Sequence, residues 1–151
     1  MATNSYEKIL EKTRRDNERQ ARDAEQRAKV AEIQNRASSI VAGQPFIGSF
    51  RIMDPSSEVV LRILIDNFHG DIKREVRGKY EIFPDAYRNT LSLEFEKLSM
   101  YGMISGHRIW IGAMWELYIT QAGLTYFENK ERAIAQDKKK SQTAGLSIGS
   151  I

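Results

Sequence analysis

Cysteine is absent from the 151 residues of this sequence, and histidine occurs only at His69 and His107. Disulfides and thiolate zinc sites are therefore excluded, and two histidines are too few for a histidine-rich metal cage. No uninterrupted apolar run approaches the roughly 20 residues that a membrane-spanning helix needs. The N-terminus also lacks the apolar core of a secretory signal. We therefore expect a cytoplasmic protein with no metal, no other cofactor and no membrane partner.

Sequence motifs for catalysis are missing as well. There is no Gly-rich phosphate loop, no nucleophile elbow and no paired-carboxylate motif. Asp66, His69 and Asp71 lie close together in the sequence, but they straddle a predicted helix exit, where polar surface residues are ordinary. The sequence predicts that this protein is not an enzyme.

Neither sign of charge predominates in the sequence as a whole, and the net charge is only +3. Residues 1–49 hold 9 basic and 7 acidic residues, residues 50–131 hold 10 and 12, and residues 132–151 hold 4 and 1. The basic excess therefore lies in the two ends of the chain, and the central part is slightly acidic. This distribution weakens any inference from the basic character of the whole chain to nucleic-acid binding.

Residues 5–42 contain neither proline nor glycine and are rich in Glu, Lys, Arg, Gln and Ala, which favour helix. Residues 1–42 are therefore predicted to form one long helix that ends before Gly43 and Pro45. Small and apolar residues recur on one stripe of this helix at coiled-coil spacing. The stripe consists of Leu10, Ala21, Ala24, Ala28 and Ala31. One interpretation is a coiled coil that joins copies of the protein, and the other is a solvated charged helix.

The segments on either side of the central part differ in character. Residues 43–53 form an apolar connector that includes Phe46, Phe50 and Met53. Because these side chains would be costly to leave in water, we expect the connector to dock on the globular part as an added strand. Residues 136–151 combine a lysine triplet with small polar residues and are predicted to be a disordered basic tail.

The central part, residues 54–135, contains two amphipathic helices. The first has Asp54 as its predicted N-cap and Pro55 as its first helical residue. Its apolar face consists of Val60, Leu61, Leu64, Ile65 and Phe68. The second is predicted over residues 84–101, with an apolar face of Tyr87, Leu91, Phe95 and Leu98.

After Gly102 the apolar period changes from helical spacing to alternation. Two alternating runs surround Gly112 and Ala113, which predicts a hairpin. Thr120 is expected to end the second strand and to cap a further helix, and Gly123 is expected to permit close packing at that junction.

This succession of helix, connector, helix, hairpin and helix resembles the winged helix-turn-helix superfamily over residues 55–130. The residues that carry the resemblance are Leu98, Gly102 and Ile104, followed by Tyr118, Thr120 and Gly123. Among its members the chain is most similar to the small YjcQ-like winged-helix proteins associated with phages and other mobile elements. The fold class expected is α+β, mostly α, with the long N-terminal helix and the basic tail added at the ends.

The resemblance implies a regulator that binds double-stranded DNA, and the coiled-coil interpretation of the N-terminal helix would make it a dimer or a higher oligomer. The helix over residues 84–101 would then present Arg88, Asn89 and Ser92 to the major groove. Cations on the flanking segments would contact the phosphate backbone, and they are Lys73, Arg74, Arg77, Lys79 and Arg108.

Other features favour a protein-interaction or assembly module that uses the winged helix and the coiled coil for contacts with a protein partner. Glu94 and Glu96 lie in the supposed reading helix, and the predicted hairpin tip has no cation. Trp110, Met114 and Trp115 are residue types enriched in protein interfaces. The residues alone leave both functions open.

Overall fold

The computed structural model describes residues 2–68, 76–77, 82–108 and 115–149. Its first element is a 41-residue helix, α1 (Ala2–Ala42). Two short strands follow, β1 (Phe46–Ile47) and β2 (Phe50–Arg51), and then helix α2 (Pro55–Phe68). The central elements are β3 (Val76–Arg77), α3 (Asp85–Arg88) and α4 (Leu91–Met100). Strands β4 (Ile104–Arg108) and β5 (Trp115–Ile119) lead into helix α5 (Gln121–Gly149). The class is α+β, mostly α, as the sequence predicts.

Two small antiparallel sheets accompany the helices. β1 pairs with β2, and the three-stranded sheet has the order β3-β5-β4. The predicted hairpin is confirmed by the register between Ile104 and Ile119 at one end and between Arg108 and Trp115 at the other. Its predicted tip, Gly112 and Ala113, lies outside the described residues. The short strand β3 was not predicted, because two residues carry too little alternation to indicate a strand.

Helix α4 lies at the centre of the packing. Leu91, Phe95 and Leu98 are each at most 1% exposed and face the core, as the spacing of the apolar residues predicts. That core also contains Val60, Leu61, Leu64 and Phe68 of α2, together with Ile104, Leu117, Ile119 and Tyr126. On its other side α4 packs against α1. Helix α4 is therefore covered from two directions.

The second amphipathic segment differs from its prediction, since it is not one continuous helix over residues 84–101. The chain leaves helical geometry at Thr90, whose φ is −113° and ψ is 5°. The Thr90 hydroxyl donates a hydrogen bond to the Tyr87 carbonyl oxygen, 3.2 Å away. Threonine is stiff at χ1 and its hydroxyl competes for local backbone acceptors. The break separates Arg88 and Asn89 from α4.

The connector docks on the globular part, as its apolar composition predicts, but it forms its own strand pair and is not a strand added to the three-stranded sheet. Met53 is 2% exposed, and the Phe50 ring lies 5.5 Å from the ring centroid of Tyr126 on α5. Phe46, by contrast, remains 54% exposed and lies under the guanidinium of Arg51. Burial of Met53 and Phe50 attaches the end of the connector to the globular part.

The end of the chain also differs from its prediction, because α5 continues to Gly149 where disorder was predicted from residue 136. Residues 136–140 are Gln, Asp and three lysines, most of which are tolerated well in helices. Extending a helix that is already packed needs no new nucleation step. Residues 136–141 are exposed on this helix, so the weak apolar patterning that suggested disorder is also compatible with a solvated helix.

Candidate nucleic-acid and self-association surfaces

One face of α1 is the face that packs against α4. Along the second half of the helix, residues with reduced exposure recur at spacings of three and four, and they are Asp23, Gln26, Val30, Ile33, Ala37 and Ile40. Ala37 is fully buried and Val41 is 6% exposed. We call this line of residues the packing stripe. Its spacing is that of two helices lying nearly side by side.

The predicted alanine seam lies on the other face of α1. At about 100° per residue, the seam residues are displaced by roughly 170° from the packing stripe. Ala21, Ala24, Ala28 and Ala31 are all exposed, and Leu10 is 52% exposed. Packing of α1 on α4 therefore leaves the seam uncovered by the described part of the chain.

Helix α4, the predicted reading helix, does not present its outer face to solvent. Glu96 on that side is 7% exposed, Leu93 is half-buried, and only Met100 is substantially exposed at 41%. Among the candidate contacts predicted from the sequence, Ser92 is half-buried. A helix can read the major groove only if it can enter the groove. Helix α4 cannot enter it in this arrangement, because α1 packs against α4.

The other predicted DNA contacts fall in three places. Arg88 and Asn89 are exposed at the α3–α4 junction, and the Arg88 guanidinium lies 2.9 Å from the Asp85 carboxylate. Arg77 of β3 is in register with Glu116, and Arg108 of β4 is in register with Trp115, so both lie at the same end of the sheet. Lys73, Arg74 and Lys79 lie outside the described residues. The structure thus places Arg77 and Arg108 on the two outer strands of the sheet, with β5 between them.

A buried polar cluster joins the start of α2 to α4. The Lys97 ammonium lies 2.6 Å from Asp54 Oδ2 and 3.1 Å from Glu94 Oε2, and the Lys97 side chain is 3% exposed. The Asp54 carboxylate also accepts hydrogen bonds from the hydroxyls of Ser57 and Tyr101, at 2.9 and 2.6 Å. Its bond from the Ser57 amide, at 3.4 Å, makes it the N-cap of α2, as predicted.

Hydrogen bonding decides the protonation of Asp54. Burial raises the pKa of the carboxyl, but the bonds from Lys97, Tyr101, Ser56 and Ser57 outweigh burial and lower the pKa to about 2. Burial raises the pKa of the Tyr101 phenol, and the bond that it donates to Asp54 raises it further. At neutral pH the Asp54 carboxylate is therefore charged and the Tyr101 phenol is neutral. In these states the phenol can donate its hydrogen bond to the carboxylate.

A second polar cluster attaches α5 to α2. Tyr126, 1% exposed, accepts a hydrogen bond from the Met53 amide at 2.9 Å and donates one to Glu58 Oε2 at 2.9 Å. The Lys130 ammonium lies 2.6 Å from the same carboxylate oxygen. Burial and the bond to Glu58 raise the pKa of Tyr126. These contacts hold the base of α5 on the globular part.

Two short-range predictions about α5 are confirmed. The Gly123 amide donates to Thr120 Oγ1 at 3.0 Å, so Thr120 caps the helix. A Cβ added at Gly123 would collide with the carbonyl oxygen of Met103, so only glycine permits this approach of α5 to the end of α4. Gly102, at a φ of +80°, occupies the left-handed conformation that ends α4.

Neither polar cluster has the composition of a metal site. Over residues 2–68, 76–77, 82–108 and 115–149, no group of three or more histidine, cysteine, aspartate or glutamate side chains could hold a metal ion. No helix within those ranges is long and apolar enough to cross a membrane. In the cluster around Asp54, the Lys97 ammonium occupies the position between the carboxylates that a cation would take. This cluster therefore serves to connect α2 with α4.

Sequence reasoning missed the burial of Glu94, Glu96 and Lys97, because their partners or covering elements are distant in the chain. Asp54 and Lys97 are 43 residues apart, and no local pattern indicates such a pair. It also missed the packing stripe, although its three-four spacing is visible in the sequence. Comparisons of the chain with protein-family models, with curated proteins and with solved structures found no match.

Proposed function

We propose that residues 55–130 are a winged helix and that the protein is a non-catalytic, dimeric DNA-binding regulator. The observation that carries the proposal is the arrangement of elements from α2 to β5. A helix, a strand, two helices and a hairpin follow one another, and the first strand pairs with the last strand of the hairpin. This order and this pairing resemble those of winged-helix DNA-binding domains.

The uncovered seam of α1 supports the dimer. The seam follows the two inward positions of a heptad repeat. One position holds Leu10, Asn17, Ala24 and Ala31, and the other holds Arg14, Ala21 and Ala28. Next to the seam, on one side, a glutamate recurs every seventh residue, at Glu11, Glu18, Glu25 and Glu32. A strict seven-residue repeat of this kind is the signature of a helix that coils around a partner.

The same glutamate row favours two parallel copies. In an antiparallel pair the glutamate rows of the two helices would face each other, and like charges at that distance repel. In a parallel pair each row faces the other flank of the seam, which consists of Tyr6, Thr13, Gln20, Arg27 and Gln34. That flank has no acidic residue, and Arg27 offers an opposite charge. We therefore propose a parallel two-stranded coiled coil.

A protein-interaction or assembly module is the second candidate. One observation favours it: the face of α4 that would read DNA is covered by α1 and contains the buried Glu96. A module of this kind would use the seam and the sheet for contacts with a partner protein and would have no affinity for duplex DNA.

Titration of labelled mixed-sequence duplex with the full-length protein distinguishes the two candidates. For a regulator we expect binding at about 50 mM salt that weakens steeply by about 200 mM, because cations that contact phosphates displace counterions. Fluorescence anisotropy measures both affinities. Absence of binding at the lower salt concentration would contradict DNA binding and leave the assembly module.

A further inference from the structure

The first part of α1 extends beyond the globular part of the protein. Every residue from Asn4 to Arg22 is exposed, and no described residue packs on this segment. At 1.5 Å per residue its 19 residues span roughly 28 Å. We call residues 4–22 the arm. Because the arm buries no surface within the chain, its pattern of side chains needs an explanation other than intramolecular packing.

The arm carries five cations on one line of the helix. They follow one another at spacings of four, three, four and three residues, and they are Lys8, Lys12, Arg15, Arg19 and Arg22. We call them the basic stripe. All five are exposed. Among the residues that the structure describes, only Arg15 of these five forms an ion pair, at 2.6 Å from Glu11.

The basic stripe and the packing stripe are two halves of one line. After Arg22 the same three-four spacing continues through Gln26, Val30 and Ile33, where α1 meets α4. The line is therefore cationic along the arm and apolar from Val30 onwards, with the partly covered Asp23 and Gln26 between the two parts. A helix selected only for solubility would have no reason to keep its cations in register with its packing face.

The closed face of α4 leaves a DNA-binding protein without its usual reading helix. Residues 50–131 are also net acidic, with 10 basic and 12 acidic residues. Phosphate neutralisation by lysine and arginine supplies most of the sequence-independent affinity for DNA. The arm holds six basic and four acidic residues, a net charge of +2, and five of its six basic residues lie on the one exposed line. The exposed lysines at the end of α5 are the other concentration of positive charge.

We infer that the basic stripe of the arm is the principal contact surface for the phosphate backbone of duplex DNA. This inference rests on the proposed DNA-binding function and moves the contact from α4 to α1. From Lys8 to Arg22 the stripe spans roughly 21 Å, a length over which duplex DNA carries about 12 phosphate charges. An α-helix with its side chains, about 10–12 Å across, fits the major groove, which is about 12 Å wide.

The positions of the seam and the stripe make this contact compatible with a dimer. The seam lies on the side of α1 roughly opposite the basic stripe, so a coiled coil leaves both stripes facing outwards. In a parallel pair both arms extend from the same end of the molecule. Because Leu10 and Ala21 of the seam lie within the arm, each stripe would contact phosphates from the outer side of the coiled coil.

An anionic membrane surface suits the arm less well than DNA does. Helices that lie on membranes need a broad apolar face that enters the acyl boundary. The exposed large apolar side chains of the arm are only Tyr6, Ile9 and Leu10, all near its start. The segment from Lys12 to Arg22 has none. We therefore assign the arm to nucleic acid.

The test compares two triple variants of the full-length protein, each of which loses three positive charges. One variant carries Lys12→Gln, Arg15→Gln and Arg19→Gln in the arm. The control carries Lys138→Gln, Lys139→Gln and Lys140→Gln on exposed positions of α5. Anisotropy titrations with a duplex of about 30 base pairs, roughly three turns, over a series of salt concentrations give the affinity and its salt slope.

For the arm variant we expect affinity at about 0.1 M salt to fall on the order of 100-fold or more, and the salt slope to decrease by about 3. The tail variant should keep the slope of the unaltered protein. A third variant, with Lys12→Arg, Arg15→Lys and Arg19→Lys, preserves charge and should bind as the unaltered protein does. Circular dichroism checks that all variants remain helical.

Different results separate the failure of the inference from that of the proposed function. If the unaltered protein binds no DNA at low salt, the DNA-binding function fails and the inference fails with it. If it binds and the arm variant binds equally well, only the inference is overturned. The inference alone is also overturned if the tail variant shows the loss, or if the arm variant loses affinity for vesicles of phosphatidylserine but not for DNA.

Discussion

At the scale of single residues, Lys97 has the environment that most constrains the fold. Its ammonium contacts two carboxylates and the Ser56 hydroxyl, the last at 2.9 Å, while its side chain is 3% exposed. Removal of one partner from a buried ion pair typically costs about 3–5 kcal/mol, because the other charge stays buried. The cluster therefore fixes where α2 begins relative to α4, and hence where the sheet and α1 can pack.

Asp54 makes the stability of the protein depend on acid. Its pKa is about 2 in the folded protein and 3.8 as an isolated group, so as pH falls the unfolded chain takes up the proton first. The stabilisation is complete above about pH 5 and is lost as pH falls towards 2. The shift corresponds to about 2 kcal/mol. We expect the stability difference between the unaltered protein and Asp54→Asn to shrink by about that amount, measured by urea unfolding at pH 5 and pH 2.

Asp66 provides the control for this experiment, since it is an exposed aspartate on α2. Asp66→Asn removes an exposed carboxylate that lies outside the Asp54 cluster. Subtracting the pH dependence of this control isolates the part that belongs to Asp54. A stability difference for Asp54→Asn that stays constant with pH would show that Asp54 has no lowered pKa.

The sequence predicts single residues well when their partners are close in the chain. The Asp54 and Thr120 caps contact amides three residues away, and such caps follow from residue type and position. The burial of Lys97 could not be predicted in this way. Lys97 and Glu94 have the residue types of a helix surface, and the helix that packs against α4 is α1, at the start of the chain. Only the packing of α1 against α4 accounts for the burial of Glu96.

At the scale of elements, α1 combines two stripes with different roles. Both have three-four spacing, so the sequence indicates two faces that are able to pack but not which of them is covered within the chain. The apolar residues Val30, Ile33 and Ile40 bury more area than alanines do, which explains why the packing stripe is the one that meets α4. The alanine face remains exposed, as the proposed coiled coil requires.

The seam makes a prediction about the oligomer. Replacing Ala24 and Ala28 with glutamate places four charges in the core of a two-stranded coiled coil, two from each copy, and their desolvation should dissociate it. Because both positions are exposed in a single chain, the chain itself should remain folded. Sedimentation equilibrium measures the mass, and circular dichroism measures the helix content.

The matched control places its two changes on the opposite face of the same helix. Lys12→Glu with Arg19→Glu alters the charge more than the seam variant does, but it lies outside the seam and should leave the mass of the oligomer unchanged. If the seam variant keeps the mass of the unaltered protein, the proposed alanine coiled coil is wrong.

Helices α4 and α5 show why element boundaries are less predictable than element types. The periodicity of Leu91, Phe95 and Leu98 predicts the helix, but the break at Thr90 depends on a side chain that bonds to Tyr87. The end of α5 was missed for a different reason. Low apolar content predicts exposure, whereas helix propensity and continuity with the packed part of α5 decide the conformation.

At the scale of the whole molecule, the charges and the packing support the proposal that the interaction surfaces lie on the first helix. The central part is acidic, and the face of α4 that would read DNA is covered. The seam and the basic stripe, by contrast, are exposed along α1. The long helix predicted from composition is therefore more than an oligomerisation tail, since it also closes one surface of the globular part.

Much of this arrangement follows from local pattern, and the remainder depends on contacts between distant segments. Alternation predicted the β4–β5 hairpin, and the apolar connector was predicted to dock. The pairing of Val76 with Leu117 joins residues far apart in the chain, through a strand of two residues. The packing of α1 against α4 also joins segments far apart in the chain. This contact matters for the proposed function, because it determines which faces of α1 and α4 are exposed.

The mass of the complex with DNA tests the central proposal, a dimer that binds duplex DNA, most directly. The full-length protein would be mixed with a duplex of about 30 base pairs, roughly three turns, at about 50 mM salt, and the mass measured by light scattering during gel filtration. We predict a complex of two chains with one duplex, which dissociates as salt is raised because phosphate contacts supply its affinity. A complex with a single chain, or no complex at the lower salt concentration, would contradict the proposal.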